Sequence, residues 1–90
     1  MHPWHEVSPG EELPDRINVI VEIPKGSRNK YELNKKTGFF QLDRVLYSPM
    51  IYPGDYGFIP KSFYDDGDPL DVLILTNEPT FTGCLVEARP

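Results

Sequence analysis

Four carboxylates crowd into seven residues at Asp65-Asp66-Gly67-Asp68-Pro69-Leu70-Asp71. The run leads straight into the apolar stretch Val72-Leu73-Ile74-Leu75. Acids packed at a strand mouth repel one another, and a divalent cation would relieve that repulsion. Hard ions such as Mg²⁺ take one or two carboxylates, with waters and substrate phosphate completing the octahedron. Gly67 permits unusual φ and Pro69 restricts it, so the loop has a defined shape. A solvated acidic turn competes, because Asp-Gly segments favour turns. On this segment alone the turn is the plainer reading. A calcium loop of the helix–loop–helix type fails on spacing: with Asp66 first, the sixth position is Asp71 instead of Gly and the twelfth is Asn77 instead of Glu.

A second set of groups is cationic and phenolic: Lys30, Arg44, Tyr52 and Tyr56. Lys and Arg donate to phosphate oxygens, Arg as a bidentate fork. Tyr hydroxyls donate to an oxyanion or orient a water. Carboxylates, Lys, Arg and Tyr together suit metal-assisted phosphoryl transfer to water, although spacing alone does not make them converge. No Ser-centred nucleophile motif or glycine-rich phosphate loop is present. Cys84 has no His partner in sequence and reads as a small core residue. His2 and His5 beside Trp4 read as a solvated terminus.

The elements that must hold these groups are strands. Ile17 to Ile23 alternates, with Ile17, Val19, Val21 and Ile23 toward a core and Glu22 sharing the other face with Ile20. Pro24 ends that run, and Lys25 to Asn29 reads as a turn. Lys30 to Asn34 and Phe39 to Tyr47 form two further strands around the hairpin connection Asn34-Lys35-Lys36-Thr37-Gly38. In the second of these, Arg44 falls on the more apolar face with Phe40, Leu42 and Leu46. A charge there needs an anion to meet it, or a rim position with its head in water; spacing leaves the two even. Residues 48–64 read as an aromatic-packed loop with a short strand near Gly57 to Pro60. Strands follow at Asp71 to Thr76 and Cys84 to Ala88. Five or six short strands joined by turns suggest a small closed or half-closed barrel of the oligonucleotide-binding (OB) type.

Composition agrees. Ninety residues allow one domain, 1–90, with a thin core. Ten Pro and seven Gly argue against a helical bundle. Nine Lys and Arg against 14 Asp and Glu give a net charge of −5, which disfavours a nucleic-acid partner. One cysteine excludes a disulfide scaffold and a cysteine-based zinc site. No apolar run approaches membrane-spanning length and no signal-peptide core is visible, so the expectation is a soluble, cytoplasmic protein without membrane contact.

Five ordered motifs carry a resemblance: Glu22-Ile23-Pro24, Lys30-Tyr31-Glu32, Asp43-Arg44, Tyr52-Pro53-x-x-Tyr56-Gly57 and Asp66-Gly67-Asp68-Pro69-Leu70-Asp71-Val72-Leu73. From about Pro9 to Pro90 the chain resembles the soluble inorganic pyrophosphatases of the Mg²⁺-dependent family I, and residues 23–33 look like the archaeal or bacterial branch. The resemblance implies a mainly β fold, a five-stranded OB-like barrel with helices outside, and hydrolysis of pyrophosphate to two orthophosphates. It implies that Asp66 and Asp71 bind a first metal, with Asp71 bridging to a second, and that Asp68 is the general base. Lys30 and Arg44 would bind phosphate oxygens, Tyr56 would bond the phosphate or the base, and Tyr52 would line the site. Glu22 and Glu32 would hold further ions through waters. The cofactor would be Mg²⁺, several ions per site, with other divalent cations as alternatives. This resemblance decides Arg44 in favour of a buried anion site.

Relatives of that kind continue beyond the point matching Pro90. Their second half supplies two more acidic ligands, a Lys, a Tyr-Lys pair and the C-terminal helices. The chain is therefore expected to be the N-terminal portion of a pyrophosphatase domain, with an incomplete site. A non-catalytic metal- or phosphate-binding barrel fragment is the alternative. Full-length relatives of the prokaryotic kind imply a homo-oligomer, a hexamer.

Overall fold

The computed structural model describes residues 7–11, 15–45, 54–60 and 70–89. Among these, the chain forms six strands and no helix: β1 (Ile17–Ile23), β2 (Asn29–Leu33), β3 (Phe40–Val45), β4 (Gly54–Ile59), β5 (Leu70–Leu75) and β6 (Leu85–Ala88). They make a four-stranded antiparallel sheet in the order β5-β4-β1-β6 and a separate β2-β3 hairpin. The mainly β fold expected from the sequence is present, as strands of an OB-like barrel whose sheet is not closed among the described residues.

β1 is the spine. Its odd-numbered face packs Val19 and Val21 against Ile74, with Ile17, Val72, Cys84 and Val86 around them. The period-2 pattern predicted that face for Ile17, Val19 and Val21; Ile23, expected with them, is buried but does not join the cluster. The pattern did not predict that the other face is also buried. There Ile20 packs on Phe58, under Leu33 and Phe40 of the β2-β3 hairpin. A strand covered on both sides must bury whatever its even positions carry, and one of them is Glu22, only 9% exposed.

The hairpin owes its return to local chemistry. Asn34 Oδ1 accepts the Lys36 and Thr37 N–H groups at 2.9 and 3.2 Å, a side chain standing in for a backbone turn. Gly38, at φ 80°, takes the left-handed conformation the turn requires.

β4 overlaps the short strand expected near Gly57 to Pro60 and begins three residues earlier, in what read as loop. Gly54 begins it and Gly57 sits in its middle, residues normally depleted from strands. Here they are required, because the neighbouring strands come too close for a side chain. A Cβ at Gly57 would run into the carbonyl oxygen of Ile20, and one at Gly54 into that of Ile74. Aromatic and apolar neighbours then fill the remaining space, with Phe58 only 1% exposed.

Candidate functional site

Two strands break their own alternation beside the same cleft. Between β1 and β4, Val21 pairs with Gly57 and Ile23 with Tyr56, so Glu22 is an extra residue on β1. Between β2 and β3, Lys30 pairs with Arg44 and Tyr31 with Leu42, so Asp43 is an extra residue on β3. An inserted residue of this kind bends the strand and re-aims side chains, a device common beside active sites. In this fold both inserted residues are carboxylates.

The cleft has a volume of about 260 Å³ and lies between the hairpin and the four-stranded sheet. Glu22, Lys30, Glu32, Lys35, Tyr56 and Asp71 supply its chemistry. β1, β2, β4 and β5 each contribute, so the cleft exists only when the hairpin closes on the sheet.

Glu22 lies at its base. Its Oε2 accepts the Leu33 N–H at 3.1 Å, and its own carbonyl accepts the Thr82 hydroxyl at 2.9 Å. Burial pushes the Glu22 carboxyl up to about 7, and the charges of Asp71 and Glu32 push the same way. The Leu33 N–H and the Lys30 ammonium oppose this and do not overcome it. Such a group is poised to accept a cation or to hold a proton near neutrality. Across the cleft, Tyr56 donates from its hydroxyl to Asp71 Oδ2 at 2.7 Å.

Asp43 stands at the cleft's outer margin. Its Oδ2 lies 3.6 Å from Lys30 Nζ and 3.5 Å from Arg44 Nε. One oxygen thus sits between the two cations that the sequence assigned to phosphate.

Five of the nine residues singled out in the sequence, Glu22, Lys30, Glu32, Tyr56 and Asp71, line one cleft. Tyr52, Asp66 and Asp68 lie outside the described residues, as do His2 and His5. Arg44 departs from expectation. Its side chain is 64% exposed, not enclosed in an anion site. β3 is exposed from Gln41 to Val45, with Leu42 at 54%, so the face that Arg44 was expected to share with Leu42 encloses neither of them. Sequence reading gave no role to three residues. Lys35 lines the cleft from the hairpin turn, Asp43 holds two cations, and Asp55 is a fully buried carboxylate on β4. A charge beside Gly54 in an apolar strand was the available signal for Asp55.

All donors in the cleft are hard: carboxylate and phenol oxygens, with ammonium groups beside them. That set fits a divalent cation carrying an anion, since carboxylates favour ions such as Mg²⁺ or Mn²⁺ and the lysines favour phosphate oxygens. No three His, Cys, Asp or Glu side chains converge tightly enough to hold an ion among the described residues. The Asp66–Asp68 segment lies outside them. No helix among the described residues is long and apolar enough to cross a membrane.

Fold and cleft together define a small β protein with an acidic, lysine-bordered cleft between a hairpin and a four-stranded sheet. Comparison with known proteins narrows this class. The family model described as inorganic pyrophosphatase matches residues 19–90. The chain is 56% identical to soluble inorganic pyrophosphatase 3 of Arabidopsis thaliana over 88 residues, covering 98% of this chain and 41% of that protein. It is 53% identical to the soluble inorganic pyrophosphatase PPA1 of Solanum tuberosum, covering 98% of this chain and 42% of the relative. The crystal structure of inorganic pyrophosphatase from Thermus thermophilus superposes with a TM-score of 0.87 at 44% identity, over 97% of this chain and 50% of that one. The chain belongs to the inorganic pyrophosphatase family. It spans about half the length of the relatives it matches.

Proposed function

We propose that this chain forms part of a site that hydrolyses inorganic pyrophosphate to two orthophosphates with a metal-activated water. The observation that carries the reading is the convergence of Glu22, Glu32, Asp71, Tyr56 and Lys30 on one cleft, in a chain of this family.

Pyrophosphate is highly anionic, so attack by water requires its charge to be neutralised first. Glu22, Glu32 and Asp71, with Asp66 and Asp68 from the sequence just before β5, would hold Mg²⁺. The metal, when bound, offsets substrate charge and lowers the pKa of water. Lys30 would bind a phosphate oxygen, and Arg44 would do so by swinging from its exposed position beside Asp43. Tyr56 holds Asp71 and would give up that one hydroxyl bond for a phosphate oxygen when the anion arrives. Tyr52 would line the site. Asp68 would be the general base. With the negative net charge, this reading has no nucleic-acid partner and no membrane contact. It makes the chain a portion of one pyrophosphatase domain in a cytoplasmic homo-oligomer, a hexamer.

The test is Mg²⁺-dependent orthophosphate release from pyrophosphate, by the chain alone and by the chain joined to the complementary half of the Thermus thermophilus relative. Release from the joined protein, abolished by Asp68→Asn, is expected. A folded joined protein that releases no phosphate would overturn the reading. A second reading is a non-catalytic module that binds metal or phosphate. Calorimetric binding of Mg²⁺ and pyrophosphate without turnover in either form would establish it.

A further inference from the structure

Asp55 is the one charged side chain that is completely buried among the described residues, and the cleft does not use it. It precedes Tyr56 on β4, so strand alternation sends its side chain to the opposite face. There it meets three donors. Oδ1 accepts the Lys25 N–H at 2.7 Å. Oδ2 accepts the Thr80 N–H at 3.0 Å and the Thr80 hydroxyl. A buried carboxylate is costly unless its oxygens are satisfied, and here each has a partner.

These donors come from two segments that both lead to Glu22. Lys25 lies three residues past Glu22, in the turn that leaves β1, where Ser27 N–H donates to the Pro24 carbonyl at 3.1 Å. Thr80 lies two residues before Thr82, whose hydroxyl donates to the Glu22 carbonyl at 2.9 Å. Asp55 therefore grips the chain just after Glu22 and also the loop that holds the Glu22 main chain. Glu22 is the inserted residue of an irregular pairing, and its own strand does not fully dictate its direction. A conformation of that kind persists when its surroundings over-determine it.

We propose that Asp55 is a positioning residue: from behind the sheet it fixes the β1 exit and the β5–β6 loop, and thereby aims the Glu22 carboxylate into the cleft. That Glu22 serves a metal there rests on the function proposed above; that Asp55 aims Glu22 does not.

Amide hydrogen exchange on the chain tests it. The Leu33 N–H is bonded to Glu22 Oε2 and reports where that carboxylate points. The Asn34 N–H, bonded to the Phe39 carbonyl at 2.8 Å within the hairpin, serves as the reference, because neither group lies in a segment that Asp55 grips. Asp55→Asn keeps the shape but leaves one acceptor oxygen for three donors. It should lower Leu33 protection about tenfold relative to Asn34, the consequence of one weakened hydrogen bond to a charged group. Thr80→Val removes only a hydroxyl and is the variant to read if Asp55→Asn does not fold. It should lower Leu33 protection about threefold on the same grounds. A merely structural clasp would expose Lys25 and Thr80 and leave Leu33 protected, and that result in either folded variant would overturn the proposal. A Mg²⁺ titration separates the two readings. Wild-type chain that takes up no Mg²⁺ counts against the metal role of Glu22, while the exchange data still decide Asp55.

Discussion

Tyr56 and Asp71 are diagonal neighbours across the β4–β5 pair. Tyr56 stands opposite Leu73, and Asp71, two residues back on the same face, receives the phenol's hydrogen bond at 2.7 Å. The pair fixes an acid at the start of β5, where the Asp65–Asp71 run meets the sheet. Tyr56→Phe removes the donor and keeps the ring. Asp71 faces solvent, so the expected loss of stability is small, about 1 kcal/mol, read from a urea midpoint. The larger effect should fall on Mg²⁺ affinity, measured by calorimetry, because Asp71 is then free to turn away from the cleft. Unchanged affinity would mean that Tyr56 does not set Asp71.

Asp43 shares one oxygen between Lys30 and Arg44, at distances typical of loose ion pairs. All three side chains are more than a third exposed, so water and salt screen the attraction. Asp43→Asn is expected to change stability by less than about 1 kcal/mol. A denaturation midpoint in low and high salt checks this. A large loss, persistent in high salt, would show that the pair matters to folding more than its exposure allows.

Much of the scaffold was legible locally. The β1 limits, Ile17 and Ile23, follow from alternation and the following Pro24, and the hairpin follows from Asn34 and Gly38. What was not legible came from distant chain. The second buried face of β1 exists because the β2-β3 hairpin folds over Ile20 and Glu22, which no period within β1 reveals. The first half of β4 was hidden because Gly54 reads as a loop residue until the carbonyl of Ile74 is seen against it. Arg44 was misplaced because an apolar face need not be a covered one: Leu42, on that face, is itself exposed. In the site, Glu22, Lys30, Glu32, Tyr56 and Asp71 were found through motifs, since their convergence depends on four strands at once. Asp55 escaped because its partners, Lys25 and Thr80, lie 30 and 25 residues away.

Glu22 makes stability depend on pH. Its carboxyl is raised from 4.5 to about 7, chiefly by burial. Between those values the folded chain holds a proton that the unfolded chain has released. Stability from this group is therefore complete below about pH 4.5, falls as pH rises toward 7, and is level above that. The shift corresponds to roughly 3 kcal/mol. Glu22→Gln keeps an acceptor for the Leu33 N–H and has no charge to bury. In metal-free buffer the variant should be the more stable protein above pH 7, and the difference should shrink as pH falls to 4.5. Urea midpoints of both proteins across this range measure it. Saturating Mg²⁺ should narrow the gap, because an ion at the cleft favours the charged carboxylate. A pH-independent difference would place the Glu22 carboxyl in a far wetter setting than the hairpin provides.

Gly57 is where fold and site depend on the same atoms. It lies between Tyr56 and Phe58, opposite Val21, beside the inserted Glu22. Its missing side chain lets β4 come against the Ile20 carbonyl, and a Cβ there would meet backbone, which cannot rotate aside. Gly57→Ala must therefore push β4 away from β1. That separates Phe58 from Ile20 in the core and moves Tyr56 relative to Glu22 in the cleft. The expected cost is roughly 3–5 kcal/mol, in the range of severe single substitutions. Because this compares with the whole stability of a small domain, the variant should be largely unfolded at 37 °C. Circular dichroism and a thermal scan would register this directly. The usual preference for Ala over Gly in a strand, about 0.5–1 kcal/mol, points the other way. A variant as stable as wild type would mean that the β1–β4 approach can relax without loss.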